Sequence, residues 1–449
     1  MPVNRPTDRS GMPESMSPIF TLIVSLLVFI ALRVPIAFSI ALASMLTIWQ
    51  LGLPLTSVVN QMFASINAFP LLAVPFFLLL GRLMNDGGIT DRLLAFADAT
   101  VGHIRGGLGH INVMVSMMFA SLSGSGAADT ASIGAVMIPA MKKAGYPAAF
   151  AVALTAASSV LGGIIPPSIL MVIYGAFGNV SIGALFLGGI VPGLLIGISQ
   201  MAYTYHVARK IGIRPEGRFS FGQVARTGVL ATPPMILPIV IIGGITLGIF
   251  TATEAAAIAV VVGLALAMLV YRAISVGQLP RILSDSVIAY SLPMFAVAAA
   301  GIMGWLISYL GVANDVAAFV MSVTDTRIGL MLLVAGFLLV IGTVLSPVTA
   351  VIIFLPVIQQ IASVGGIDQV HMGLIVVLTL TLGLITPPYG ICLLIATQIG
   401  NVAMPRAFLA IAPLILLVML IIVAGILIPS LFLFLPQTFL PDAFPQLRR

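Results

Sequence analysis

Residues 121–134 read SLSGSGAADTASIG: hydroxyls, glycines and one carboxylate, Asp129, between the apolar runs INVMVSMMFA and AVMIPAM. Glycine lets the backbone turn. Hydroxyls and a carboxylate supply oxygens for a cation or a substrate. VLSPVTA, at 344–350, is a second stretch of this kind. Two proline pairs accompany them, in GGIIPPS (162–168) and LGLITPPYG (382–390). Proline removes a backbone donor and clashes with the preceding turn, so each pair breaks a helix. In hydrocarbon the freed carbonyls need other partners, so broken backbone at membrane depth is buried in protein or lines a cavity. A bound Na⁺ is a natural partner for unwound carbonyls and hydroxyls. Half-helix N-termini, with free N–H groups, suit a carboxylate.

The elements that must position these groups are membrane helices. The chain has 449 residues, 60% hydrophobic and 7% charged, where a soluble domain carries about 25% charged residues. Long apolar runs recur from Pro18 to Pro436, many near the roughly 20 residues that cross a bilayer. The fold class is therefore all-α, polytopic membrane protein; a β-barrel would show short alternating segments instead. The single cysteine, Cys392, excludes a disulfide framework. His103, His110, His206 and His371 are scattered without metal-ligand spacing. There is no HExxH, no pair of aspartates within spans and no Ser-His-Asp set, so an enzyme is not expected. The net charge of +6 lies mostly in loops between apolar runs. That reports topology, not nucleic-acid binding. Residues 1–16 are polar and carry no cleavable-signal pattern.

The hydropathy pattern predicts helical segments near 17–32, 35–51, 57–82, 148–177 and 182–207, then 227–250, 254–271, 284–311, 370–399 and 407–435. Two further apolar stretches, 108–141 and 328–358, are interrupted at Ser121–Thr130 and Ser346–Thr349. As re-entrant hairpins, they leave each half crossing five times, in opposite orientations. With the loop 209–226 in the cytoplasm, 14 of the 19 Lys and Arg fall inside, as the positive-inside rule requires. Both termini then lie outside. The expected layout is a polar tail at 1–16, a first repeat at 17–208, a basic cytoplasmic loop at 209–226, a second repeat at 227–436 and a tail at 437–449. The halves share landmarks: Pro75, Pro139, Pro166 and Pro192 against Pro293, Pro356, Pro387 and Pro413, at intervals of 64, 27 and 26 against 63, 31 and 26 residues. Gly-Asn-Val follows each proline pair, at 178–180 and 400–402. Inverted repeats with interrupted helices in matching places point to a secondary transporter with its site near the midplane.

Plainer readings stand beside these. Ser/Gly-rich segments also serve as close-packing surfaces, and a proline pair can be a structural kink. Asp129 could cap the helix ASIGAVMIPA. Glu254, after Thr251 and Thr253, reads as an acid in the first turn of a capped helix. Arg33 reads as a positive-inside anchor, and Trp49 and Trp305 as packing or interface residues. His103 and His110 are expected to be solvated near a cytoplasmic loop, and Asn179 and Asn401 to cap helix ends.

GSGAADTASIGAVMIPAM with the following IIPPS, then GIFTATEAAA, then LITPPYG, resemble the large membrane subunit of TRAP transporters, the DctM-type family, over about residues 17 to 435. The resemblance implies an inverted-repeat elevator of the ion-transporter superfamily in a bacterial inner membrane, with both termini periplasmic on the map above. It implies Na⁺-driven import of organic acids, with Na⁺ as coupling ion and no other cofactor. The implied partners are a small four-helix membrane subunit, a periplasmic solute-binding protein, a small-molecule carboxylate and membrane lipids, and no nucleic acid. Carried onto this sequence, the substrate side comprises Ser123, Gly124, Ser125, Ser168, Ser346, Thr349 and Thr386. The ion side comprises Ser121, Asp129, Thr130, Gly163, Pro166, Pro167, Pro347, Pro387, Pro388 and Gly390. Two departures stand out: the family commonly has proline where Ala252 stands, and a small apolar residue and asparagine where Tyr389 and Cys392 stand. No four extra spans precede Met1, so the small subunit is expected as a separate chain. The competing expectations are a stand-alone Na⁺- or H⁺-coupled anion permease and a non-transporting assembly subunit.

Overall fold

The computed structural model describes residues 17–215 and 218–444; most of the two tails and a short part of the basic loop lie outside them. Every regular element among the described residues is helical. The chain opens with α1 (Pro18–Ala31), α2 (Ile36–Gln50), α3 (Thr56–Ile66), a 3₁₀ turn at Phe69–Leu72, α4 (Ala73–Asp86) and α5 (Ile89–Val101). Next come α6 (Gly107–Ser123), α7 (Gly126–Lys143), α8 (Ala148–Ser159) with a 3₁₀ turn at Val160–Gly163, α9 (Ile169–Gly178) and α10 (Ile182–Lys210). The second half holds α11 (Phe221–Thr246), α12 (Ala252–Ala265) with a π turn at Leu266–Val270, α13 (Leu279–Tyr309) and α14 (Val312–Val323). It continues with α15 (Arg327–Gly342), α16 (Pro347–Val364), α17 (Gln369–Gly383), α18 (Ile391–Gly400), α19 (Met404–Leu427) and α20 (Ser430–Phe439).

Seven helical segments among the described residues are long and apolar enough to cross a bilayer. The chain is thus a multi-pass helical membrane protein. The innermost helices are α8 and α17, buried from Phe150 to Ser159 and from Val370 to Gly383. They are mostly apolar on every side, as a helix without a solvent or lipid face must be, and their buried hydroxyls such as Thr155, Ser159 and Thr381 donate to carbonyls of their own helix. α18 packs on α7 and α8, α19 on α8, and α16 on α9 and α17. A second group joins α13 to α2, α3 and α4, and α12 to α4.

Several elements differ from the hydropathy reading. The span expected at 57–82 is two helices, because Pro70 offers no donor and the chain passes through a 3₁₀ turn. Pro429 likewise ends α19 and starts the separate α20, where one span at 407–435 was expected. α5 and α14 escape the pattern altogether. Each carries acids in a short segment (Asp91 and Asp98; Asp315), which hides it from an apolar-run search. Each begins after a glycine in the left-handed region, Gly88 (φ 67°) and Gly311 (φ 73°).

Candidate functional site

Both interrupted stretches break, but not over the expected residues: within Ser121–Thr130 only Gly124 and Ser125 leave the helix, and the second break falls at 343–346, because Ser346 caps α16 and Pro347–Thr349 form its first turn. α6 and α7 pack against each other and are joined by only Gly124 and Ser125. Gly124 has φ 62°, and a Cβ there would lie 2.9 Å from the Pro167 carbonyl oxygen. The hairpin tip therefore touches the first proline break through bare backbone. Gly126 and Gly162 extend this contact: a Cβ on Gly126 would meet the Ser159 carbonyl at 2.7 Å, and one on Gly162 would run into Asp129 Oδ2. Asp129 is 0% exposed. Its Oδ1 accepts from Ser123 Oγ, and its Oδ2 has no partner. A buried acceptor without a donor calls for a cation or a water. A Na⁺ among this carboxylate oxygen and the carbonyls of the Val160–Gly163 turn fits the donor set. Asp129 is not the cap of α7, as one sequence reading had it. Ser125 holds the cap position, and Asp129 lies in the first turn.

The second tip is built from α15 and α16. Ser346 caps α16, accepting from the Thr349 amide at 3.3 Å, and the two hydroxyls bond each other at 2.8 Å. Gly383 lies directly against the Gly342 carbonyl, so α17 and α15 approach without side chains between them. The Tyr389 amide donates to the Thr343 carbonyl at 2.7 Å, which ties the second proline break to the second tip. At the first break Ser168 caps α9 and donates to the Gly163 carbonyl at 2.7 Å. At the second, Thr386 donates to the Leu382 carbonyl at 2.8 Å, and the Cys392 amide to the Leu384 carbonyl at 2.9 Å. Both Pro-Pro bonds are cis, and Gly390 has φ 36°.

These pieces surround one cavity of about 480 Å³. Gly124, Ser125, Gly126 and Ala127 come from the first tip, Ser346 to Thr349 from the second, and Gly163, Ile169, Thr381 and Tyr389 from around the breaks. The far wall is apolar and belongs to α2, α4 and α13, including Ile36, Val74, Leu78, Pro293 and Val297. The first residues of α7, α9, α16 and α18 all line the cavity, so four helix N-termini converge on it. Each carries roughly half a positive charge. Neither α7 nor α18 has a side-chain cap. Among the described residues no lysine, arginine or histidine lines the cavity. The positive field therefore comes from backbone N–H groups, an arrangement that binds a carboxylate.

Of the site residues named from the sequence, Gly124, Ser125, Gly163, Ser346, Pro347 and Thr349 line the cavity. Ser123, Asp129, Thr130 and Ser168 are buried; Thr130 donates to the Gly126 carbonyl at 2.8 Å. Ser121 donates to the Met118 carbonyl within α6, and Pro166, Pro167, Thr386, Pro387, Pro388 and Gly390 shape the breaks without lining the cavity. The sequence reading did not place Thr381 or the walls from α2, α4 and α13. The matched prolines Pro75 and Pro293 were the available signal: Pro293 lines the cavity and Pro75 follows Val74.

The plainer readings divide. Thr251 and Glu254 form a full capping box, with Glu254 Oε2 accepting from the Thr251 amide at 2.8 Å. Asn179 and Asn401 are left-handed C-caps. Trp305 stacks on Tyr309. His110 is not solvated; it is buried, with Nε2 3.1 Å from the Arg105 carbonyl oxygen. His103 is partly buried and meets the Phe219 ring edge-on.

Residues 23–431 match the family described as "Tripartite ATP-independent periplasmic transporter, DctM component". The chain is 36% identical over 409 residues to the sialic acid TRAP transporter large permease protein SiaM of Vibrio cholerae, covering 90% of this chain and 95% of the relative. It is 38% identical over 383 residues to the C4-dicarboxylate TRAP transporter large permease protein DctM of Pseudomonas aeruginosa, covering 85% and 89%. Its fold is similar to the structure of MtrF from Neisseria gonorrhoeae, described in a report on antimetabolite efflux pumps, with TM-score 0.57 and 14% identity over 85% of this chain and 83% of that one.

Proposed function

Because this chain belongs to the DctM family of tripartite ATP-independent periplasmic transporter components, which are membrane permeases and not enzymes, we propose that it is the large subunit of a Na⁺-driven importer of organic acids. The carrying observation is the cavity on which four helix N-termini converge without a cationic side chain. In this reading the N–H groups of α7 and α18 hold the substrate carboxylate. Ser125, Ser346 and Thr349 contact the substrate from the two tips. Na⁺ is carried beneath the tips, with the unpartnered Asp129 Oδ2 and the carbonyls of the breaks as ligands, and Ser123 positions the carboxylate. The remaining residues of the breaks set the path of the unwound backbone.

The repeated order of elements supports two inverted repeats, at 17–208 and 227–436. In each half a proline-bearing helix (α4, α13) precedes a short acidic helix (α5, α14), a hairpin, a proline-broken helix and a long proline-bearing helix (α10, α19). On this reading the hairpins and broken helices form the moving body of an elevator, both termini are periplasmic, and the chain sits in a bacterial inner membrane. A small membrane subunit, as a separate chain, and a periplasmic binding protein complete the system.

Uptake by the chain reconstituted with a candidate small subunit and binding protein tests the reading. Uptake of organic acid that needs all three components and collapses without a Na⁺ gradient is expected. Uptake by the chain alone would instead establish a stand-alone permease, and uptake indifferent to Na⁺ would overturn the coupling.

A further inference from the structure

We propose that the cavity selects a monocarboxylate with an apolar body and one hydroxyl or oxo group, and that Ser125 and Tyr389 recognise that group. The proposal rests on the carboxylate reading above and narrows it.

The polar side chains that line the cavity are Ser125, Ser346, Thr349, Thr381 and Tyr389. Three are engaged. Ser346 and Thr349 bond each other, and Thr381 donates to the Leu378 carbonyl at 2.8 Å. Among the described residues, the hydroxyls of Ser125 and Tyr389 meet no protein partner. Ser125 occupies the cap position of α7 yet makes no cap bond. Tyr389 is held in place through its backbone by the Thr343 carbonyl. Two residues with unspent hydroxyls, one from each tip side, thus line a space that is otherwise mostly apolar. Hydroxyls donate to and accept from a neutral oxygen equally well.

The rest of the wall argues against a second charge. Ser168 and Ser346 already cap α9 and α16, so only α7 and α18 start uncapped, and two half charges serve one carboxylate. A second would have no lysine, arginine or histidine to meet, and would be desolvated against Val74, Leu78, Ile173, Leu292 and Val297. A volume of about 480 Å³ leaves room for an apolar body against that wall. A site built to hydrogen-bond a substrate group also rejects the analogue that lacks it, which an apolar wall alone does poorly.

Isothermal titration of the full chain in nanodiscs, in NaCl, with isocaproate, α-ketoisocaproate and succinate tests this. The keto acid is expected to bind roughly ten-fold tighter than isocaproate, as two hydrogen bonds worth roughly three-fold each give, and succinate weakest. Tyr389→Phe and Ser125→Ala should each bring the keto-to-plain affinity ratio down to roughly three-fold or less. The ratio within one variant is insensitive to partial loss of folded protein. Tightest binding of succinate, a ratio near one in the unsubstituted chain, or a ratio that neither variant moves would overturn the proposal and leave the carboxylate reading standing. Binding of none of the three acids would overturn the proposal, and the uptake assay above decides the carboxylate reading separately.

Discussion

Gly162→Ala is the sharpest single test of how the first break and the first tip make one site. The added Cβ runs into Asp129 Oδ2 and lies 2.9 Å from the Gly126 nitrogen and 3.0 Å from the Ser125 carbonyl carbon. Ordinary contacts for carbon are about 3.5–4.0 Å, so the tip and the turn must part by about half an ångström or more. The Asp129 side chain is not free to absorb this alone, since its other oxygen is bonded to Ser123 and two of the clashing atoms are backbone. Overpacking of this kind costs about 1–3 kcal/mol, equivalent to roughly 5- to 160-fold in an equilibrium constant. If Na⁺ is bound across this seam, the half-saturating Na⁺ concentration for uptake rises by a factor in that range. Gly243→Ala is the control: it lies inside α11 with open space where its Cβ would go, and alanine there favours the helix by about 0.5–1 kcal/mol. Na⁺ titrations of uptake in proteoliposomes, with the unfolding midpoint of each variant, separate the two. A Gly162→Ala chain that keeps the original Na⁺ dependence would refute the placement of the ion at this seam.

Asp129→Asn keeps the shape but removes the buried charge next to Gly162; it should abolish Na⁺-driven uptake while the purified protein still elutes and unfolds as a folded species. Thr251→Ala removes the capping box of α12, which lies away from the cavity. A loss of about 1 kcal/mol, seen as a lowered unfolding midpoint, should accompany unchanged uptake per folded molecule. Reduced uptake per folded molecule would mean that the start of α12 has a role beyond capping.

The breaks were legible because their residue types leave few choices. A proline pair ends a helix wherever it stands, and SLSGSGAADTASIG is too polar for an unbroken apolar helix. The fold class followed from composition, since 7% charge cannot clothe a soluble surface of this size. What stayed hidden was set by spacing or by tertiary contact. α5 and α14 are short and acid-bearing, so a search for apolar runs passes over them. The breaks at Pro70 and Pro429 each fall beside a single proline, with only one or two polar residues nearby, and the surrounding run stays mostly apolar. Asp129 was visible as a carboxylate, but its Ser123 partner and the bare Gly162 beside it depend on how the 3₁₀ turn closes on the tip. The apolar wall from α4 and α13 was unreadable for the usual reason: Val74, Leu78 and Val297 look like any other membrane residues until something packs opposite them.

Each side of the cavity has polar ties of its own while the wall between them is apolar, and this bears on how the site could move. The hairpin helices and the broken helices are joined to one another by polar and backbone contacts. Tyr389 is tied to Thr343, Lys142 Nζ donates to the Gly400 carbonyl at 2.9 Å, and Gln359 donates to the Gly178 carbonyl at 2.6 Å. The other side has its own ties. Arg82 on α4 pairs with Asp86 and reaches Asp285 on α13 at 3.1 Å, and Thr253 on α12 donates to the Phe69 carbonyl at 2.9 Å. Where the two groups meet across the cavity, the second presents Val74, Leu78, Met294 and Val297. Sliding an apolar surface leaves no polar group unpaired, whereas parting Tyr389 from Thr343 would strand a donor in a low-dielectric interior. If the cavity changes sides of the membrane, the least costly cut therefore runs between the tips and the α2–α4–α13 wall. The four helix starts and Asp129 would travel together on one side of that cut, so the proposed substrate and ion ligands would keep their geometry throughout.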